Sequence, residues 1–344
     1  MLARLIGTIL LSALATTALY GNALPKPLAT IEGFANGLAL HPEKPILVLT
    51  TGEELKVFDL EEEKTVHVTP LKHVHPHPTF SPDGKWLVAA SAEGPRVFDT
   101  ETWESRILEA DLKRFAVRFH FTDEGKRLFV APLPQEDARI FETKVWTKVD
   151  QLTPPPRKRT NKKQLPYTAS AALSPNGDLF IAMGERVHIW KKRKEKWKLV
   201  GWERRAPKPH DGGAGHLRFA PSGKHFAFIE EGGTVQIRSS KNLKTLTEFH
   251  TFRRGVRDAR WSANSKFLIG TFEDSVRIWN VETEEMVAHY VERREKASPF
   301  ALAIRPDGKW IAVGLGIDTK VFKTSDLISG GQSNRASEKS RVSP

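Results

Sequence analysis

Residues 305–313 read Arg305-Pro306-Asp307-Gly308-Lys309-Trp310-Ile311-Ala312-Val313, and the aliphatic–aromatic pair Val321-Phe322 follows. Proline at the second turn position presets φ, and glycine at the fourth accepts the left-handed backbone that returns the chain as a hairpin. The run after the turn is rich in residues that favour strands. This stretch therefore predicts a β-hairpin followed by a third strand.

The same pattern recurs along the chain. Its turns end at Lys44, Gly84, Gly125, Gly177, Gly223, Ser265 and Gly308, at successive intervals of 40, 41, 52, 46, 42 and 43 residues. The matching third-strand pairs are Val57-Phe58, Val97-Phe98, Ile140-Phe141, Ile189-Trp190, Ile237-Arg238, Ile278-Trp279 and Val321-Phe322. Turns and strands that stay in phase predict a repeat architecture, in which each unit buries its apolar face against the next.

The sixth repeat, from Trp261-Ser262 to Ile278-Trp279-Asn280, resembles the WD-repeat β-propeller family most closely. The resemblance extends over the chain from Leu24 onward and implies an all-β, seven-bladed propeller of four-stranded antiparallel blades. No repeat ends in Trp-Asp, and no Gly-His dipeptide stands at the position where many family repeats open, so the family's side-chain hydrogen-bond network is not carried over. The resemblance also implies that an N-terminal strand within 24–34 completes the last blade and closes the ring.

The two ends of the chain differ from the repeats. Arg4, the apolar run from Leu5 to Leu19 and the small residues up to Ala23 predict a signal peptide over 1–23, cleaved after Ala23. An uncleaved anchor is the alternative, although the run is short for a membrane span, and no later segment is long and apolar enough to be one. We therefore expect an exported chain, periplasmic or secreted, with the propeller over 24–328. The stretch 329–344 is rich in serine, glycine and charge and is predicted to be a disordered tail.

Composition limits the chemistry of the chain. It has no cysteine, which excludes disulfides, thiol catalysis and cysteine-ligated metal sites. Its formal net charge is +12, which favours an acidic partner through long-range attraction. Basic side chains gather in three consecutive connections between blades, on the face that the resemblance identifies as the top. These residues are Arg157, Lys158, Arg159, Lys162, Lys163, Arg204, Arg205, Arg253, Arg254 and Arg257. They are either a partner-binding surface or ordinary solvated charge.

Two further sets of polar residues are predicted near the propeller axis. His73, His75 and His77 alternate along an extended segment and are weak candidates for metal ligands, because no carboxylate lies close in sequence. Four innermost strands carry polar residues where small or apolar ones are expected. These channel-lining candidates are His77, Arg118, His120, His216, Arg218, Asp258 and Arg260. A wet polar channel and a small-ligand site at its mouth are both consistent with this pattern.

No catalytic motif is present: the chain has no Gly-x-Ser-x-Gly elbow, no His-Glu-x-x-His and no phosphate-binding glycine loop. The sequence therefore predicts a non-enzymatic interaction scaffold, without a cofactor, that binds a protein or peptide on its top face. A polyanion-binding propeller that uses the basic residues is one alternative. A metal-binding or enzymatic site at the channel mouth is the other.

Overall fold

The structure is a computed structural model. It describes residues 22–72, 77–109, 116–133, 137–153, 170–183, 186–194, 196–204, 216–229, 233–250, 256–272, 275–291 and 301–329. Within these ranges the chain forms seven sheets, each of four antiparallel strands. This confirms the predicted all-β, seven-bladed propeller.

The strands of the first three sheets follow the chain in order. The first sheet contains β2 (Gly37–Leu40), β3 (Ile46–Thr50), β4 (Glu54–Asp59) and β5 (Lys64–Pro70). The second contains β6 (Thr79–Phe80), β7 (Trp86–Ser91), β8 (Gly94–Asp99) and β9 (Ser105–Ile107). The third contains β10 (Ala116–Thr122), β11 (Arg127–Leu133), β12 (Ala138–Glu142) and β13 (Thr147–Leu152), with a 3-10 turn at Asp123–Gly125.

The fourth to sixth sheets repeat this order. The fourth contains β14 (Ser170–Leu173), β15 (Leu179–Met183), β16 (Arg186–Arg193) and β17 (Lys196–Arg204). The fifth contains β18 (His216–Phe219), β19 (His225–Ile229), β20 (Thr234–Ser239) and β21 (Thr245–His250). The sixth contains β22 (Asp258–Trp261), β23 (Phe267–Thr271), β24 (Ser275–Asn280) and β25 (Glu285–Val291).

The seventh sheet combines both ends of the chain. It contains β26 (Leu302–Ile304), β27 (Trp310–Gly314) and β28 (Asp318–Lys323), with β1 (Ala29–Glu32) at its outer edge. β1 runs antiparallel to β28, with Ala29 opposite Val321 and Glu32 opposite Asp318. The chain then enters β2, which contacts β26. The segment that precedes the first repeat therefore supplies the outer strand of the last sheet.

Serine and glycine explain the turns at the bottom of the sheets. The hydroxyl of Ser81 accepts a hydrogen bond from the Trp86 amide at 3.0 Å and donates to Asp83 Oδ1 at 2.6 Å. Gly84 has a φ of 72°, and a Cβ added at this position would clash with the His41 ring. Any other residue here would therefore meet both backbone strain and a steric clash. The local turn chemistry thus sets where each hairpin reverses.

The apolar core is divided into seven clusters, each shared by two neighbouring sheets. One cluster joins Phe129, Ile140 and Phe180 across the third and fourth sheets. Burying a side chain of this size contributes about 1.5–3 kcal/mol. Because every sheet contributes to two clusters, packing between sheets fixes the ring and the position of the innermost strands.

Short segments beyond the repeats pack on the sixth and seventh sheets. Residues 324–329 form a single helix in which Leu327 is fully buried, and its carbonyl accepts a 2.7 Å hydrogen bond from the Tyr290 hydroxyl. Asn22 forms a parallel bridge with Tyr290 of β25. Over the ranges that the structure describes, no helix is long and apolar enough to cross a membrane. Residues 1–21 and 330–344 lie outside the described residues, so the signal-peptide and tail assignments stay predictions.

Candidate functional site

The channel-lining candidates lie on or next to the innermost strands. Asp258 and Arg260 lie on β22, His216 and Arg218 on β18, and Arg118 and His120 on β10; His77 lies just before β6. We call these seven residues the inner-ring cluster. At the equivalent repeat positions the other three sheets carry only small residues, which are Gly37, Ala39, Ser170, Ala172, Ala301 and Ala303. Large polar side chains from four sheets thus share the axial region with small residues from three.

Asp258 is the acidic residue of the inner-ring cluster and holds two of its arginines. Its carboxylate accepts a hydrogen bond from Arg218 Nη2 at 3.0 Å and another from Arg260 Nη1. The Ala259 amide donates to the same oxygen at 2.8 Å. The Asp258 side chain is 4% exposed, yet its pKa is lowered, because both guanidinium groups outweigh the opposing effect of burial. Asp258 is therefore a buried, charged partner of both arginines.

Hydrogen bonds from the inner-ring cluster also join neighbouring sheets. His120 Nε2 lies 3.1 Å from the Ala171 carbonyl, and His216 Nε2 lies 3.0 Å from the Val256 carbonyl. Arg218 Nε donates to the Ala259 carbonyl at 3.1 Å. A carbonyl oxygen can only accept, so in both histidines the proton is on Nε2.

Burial keeps the histidines neutral. Desolvation, reinforced by nearby arginines, lowers the pKa of His216 to about 3 and that of His120 to about 4. The pKa of His77 is also well below its ordinary value for the same two reasons. Burial lowers the pKa of Arg118 to about 9 and of Arg218 to about 10, and both stay protonated at neutral pH. The inner-ring cluster therefore has three guanidinium groups, one carboxylate and three uncharged imidazoles.

Two buried polar atoms of the inner-ring cluster lack a hydrogen-bond partner within the described ranges. They are Arg118 Nε and His216 Nδ1. Unpaired buried polar atoms are costly and uncommon, and they often mark a place where water or an ion binds. Among the described residues, no group of three His, Asp or Glu side chains is placed to hold a metal ion.

Most of the predicted basic surface lies outside the described residues. This applies to Arg157, Lys158, Arg159, Lys162, Lys163, Arg205, Arg253 and Arg254. The candidate metal ligands His73 and His75 also lie outside the described residues. Arg204 is the last residue of β17, and Arg257 is exposed immediately before β22. That the basic residues of three consecutive connections lie together on the top face stays a prediction.

The top face carries two exposed apolar residues that the sequence analysis did not select. The strands of each sheet alternate in direction. The connections between sheets therefore lie at the same end of the propeller as the turns between the second and third strands of each sheet, and this end is the top face. Phe34 lies between β1 and β2 and is 42% exposed, and Ile317 lies between β27 and β28 and is 49% exposed. The Gly33 amide donates to the Ile317 carbonyl at 2.9 Å, which ties the two loops together. In both loops a large apolar residue directly follows a glycine, and this was the available sequence signal.

Comparison with known proteins agrees with the repeat pattern. The profile of the family described as WD domain, G-beta repeat matches residues 240–280. This range runs from just before β21, the outer strand of the fifth sheet, to the end of β24 in the sixth sheet, and it includes the repeat from Trp261 to Asn280 that resembles the family most closely. No curated protein was found to match the sequence of the chain.

Proposed function

We propose that this chain, which forms a seven-bladed propeller and matches a WD-repeat profile over residues 240–280, is a non-catalytic scaffold that binds a protein or peptide partner on its top face. WD-repeat propellers are typically interaction scaffolds, and the fold alone does not specify a reaction. The observation that carries the proposal is the pair of exposed apolar residues, Phe34 and Ile317, on loops joined by a backbone hydrogen bond. Exposed aromatic and aliphatic side chains on loops held by a rigid scaffold are typical of protein contacts.

Affinity capture with a matched control tests this proposal. The double variant Phe34→Ser/Ile317→Ser removes the apolar pair from the top face. The control Val68→Ser/Val149→Ser changes outer-strand residues of β5 and β13 that are 42% and 53% exposed. We expect wild type and the control to capture the same proteins from an extract of the native cells, and the top-face variant to lose them. Equal capture by all three proteins would show that this part of the top face does not bind the partner.

The same capture distinguishes a polyanion from a protein. Binding through the predicted basic residues is mainly electrostatic, so it weakens steeply as salt is raised. Binding through Phe34 and Ile317 depends on apolar burial and changes little over the same salt range. We therefore expect the partner to stay bound at moderate salt. A ligand that elutes completely at moderate salt would favour the polyanion-binding alternative.

We further propose that the scaffold acts outside the cytoplasm. The support is the arrangement of Arg4, the apolar run up to Leu19 and the small residues before Leu24. Cell fractionation followed by mass spectrometry of the N-terminal peptide tests this. We expect a processed chain in the exported fraction. A chain that begins at Met1 and sediments with membranes would identify the segment as an anchor.

A further inference from the structure

The inner-ring cluster has more positive charge than its own acid neutralises. Within the cluster, Asp258 is the one acid that counters Arg118, Arg218 and Arg260, and it already binds Arg218 and Arg260. Both other arginines repel Arg118 and Asp258 attracts it, but no acceptor among the described residues pairs with its buried Nε. A buried cation without a counterion is costly, and an anion that reaches Arg118 removes that cost. The cluster is therefore electrostatically complementary to an anion.

His216 adds a second and different requirement. Its side chain is 7% exposed, its Nε2 proton is used by the Val256 carbonyl, and its Nδ1 has no partner among the described residues. In this tautomer Nδ1 is an acceptor, so it binds a group that donates a proton. A ligand that satisfies both Arg118 and His216 needs negative oxygens and a hydroxyl.

The innermost strands of three sheets carry small residues at the positions of these groups. Gly37, Ser170 and Ala301 occupy the repeat positions that His77, Arg118, His216 and Asp258 occupy in the other four sheets. His77 itself has a φ of 128°, a backbone strain that proteins maintain mostly where a site requires it.

We propose that the inner-ring cluster binds one small hydroxylated oxyanion, of the hydrogen phosphate class, between Arg118 and His216. Negative oxygens accept hydrogen bonds from the Arg118 guanidinium, and the hydroxyl donates to His216 Nδ1. At neutral pH inorganic phosphate retains a hydroxyl, whereas sulfate retains none and presents only acceptors to a nitrogen that also accepts. The site therefore distinguishes two ions of the same shape. It does not depend on the protein partner proposed above.

Calorimetric titration of the full chain with sodium phosphate and with sodium sulfate at pH 7.5 and constant ionic strength tests the proposal. We expect one phosphate per chain and binding of sulfate at least about tenfold weaker, because sulfate leaves the buried acceptor unpaired. Equal affinity for both ions would overturn the role of His216. The absence of phosphate binding would overturn the site. Both results come from the wild-type protein and do not depend on a variant that folds.

Variants then locate the ion. Arg118→Gln should weaken phosphate binding by at least about tenfold, since it removes the charge-assisted hydrogen bonds. The control Arg96→Gln removes an arginine of β8 that is paired with Glu93, and it should bind phosphate like wild type. Equal loss in both variants would indicate general charge attraction and contradict the site. A third titration with glycerol phosphate separates two sources of the same chemistry. At pH 7.5 this ester is mainly a dianion without a phosphate hydroxyl. Binding weaker than that of inorganic phosphate therefore indicates the free ion, and tighter binding indicates a carried phosphate group whose neighbouring hydroxyl donates to His216 Nδ1; both support the proposal.

Discussion

Asp258→Asn removes the negative charge that neutralises two arginines of the inner-ring cluster while keeping the shape of the side chain. The Asp258 side chain is 4% exposed, and those of Arg218 and Arg260 are 12% and 25% exposed. Removing one partner of a buried ion pair costs about 3–5 kcal/mol, because the remaining charge stays buried without compensation. Here two guanidinium groups lose their partner, so we expect a loss of at least about 3 kcal/mol from a total stability of about 5–15 kcal/mol.

Urea unfolding followed by tryptophan fluorescence measures this loss. Glu93→Gln is the control: it breaks the 2.6 Å pair between Arg96 and Glu93, whose carboxylate side chain is 60% exposed. Exposed pairs contribute about 0–1 kcal/mol, so the control should unfold close to wild type. If Asp258→Asn and Glu93→Gln change the free energy of unfolding equally, Asp258 is not the buried, charged partner of Arg218 and Arg260 described above.

Three further predictions use the same assay. The pKa values of His120 and His216 are lower in the folded chain than in the unfolded chain, so as pH falls the unfolded chain binds protons before the folded chain does. The stability contributed by the neutral imidazoles is therefore fully present above about pH 6.5 and is lost as pH falls towards about 4 for His120 and about 3 for His216. Each of these two histidines should lower the free energy of unfolding by about 2 kcal/mol at pH 5. The variant His120→Gln/His216→Gln should remove their share of the pH dependence and leave the share of His77, whose pKa is also lowered. An unchanged pH profile would contradict buried neutral imidazoles at positions 120 and 216. Deleting residues 24–34 should prevent cooperative unfolding, because β28 loses its partner strand β1. Deleting residues 331–344 should leave the urea midpoint unchanged. A midpoint that is unchanged by the first deletion and lowered by the second would contradict the pairing of β1 with β28. A chain that begins at Asn22 should have a free energy of unfolding about 1–2 kcal/mol higher than a chain that begins after Ala23, because Asn22 forms two backbone hydrogen bonds with β25. Equal stability of the two chains would show that this bridge contributes nothing.

Local chemistry made the blades predictable from the sequence. The turn that ends at Gly308 and the strand pair Val321-Phe322 depend on residues close together in the chain, and both appear where the spacing placed them. The polar residues of the innermost strands were selected by the same counting, since each lies at a fixed distance from its turn. These features require only periodicity and turn preferences.

The contacts that the inner-ring cluster makes were not predictable in the same way. The distance between Arg218 and Asp258 depends on how two sheets pack, and the hydrogen bond from the Trp261 indole to the Arg218 carbonyl joins residues that no local pattern relates. The helix at 324–329 was also missed, because its stability comes from burying Leu327 beneath Tyr290 rather than from a long helical pattern. Each of these features depends on contacts between distant parts of the chain.

Site-specific photo-crosslinking in the native cells tests most directly whether the top face of this propeller binds a protein. A photoreactive phenylalanine analogue replaces Phe34 or Ile317 in one pair of chains, and Val68 or Val149 of the outer strands in the other pair. We predict a discrete crosslinked adduct of higher mass from positions 34 and 317 and none from positions 68 and 149. Adducts from the outer-strand positions alone, or from no position while the chain is folded and expressed, would contradict the top-face scaffold.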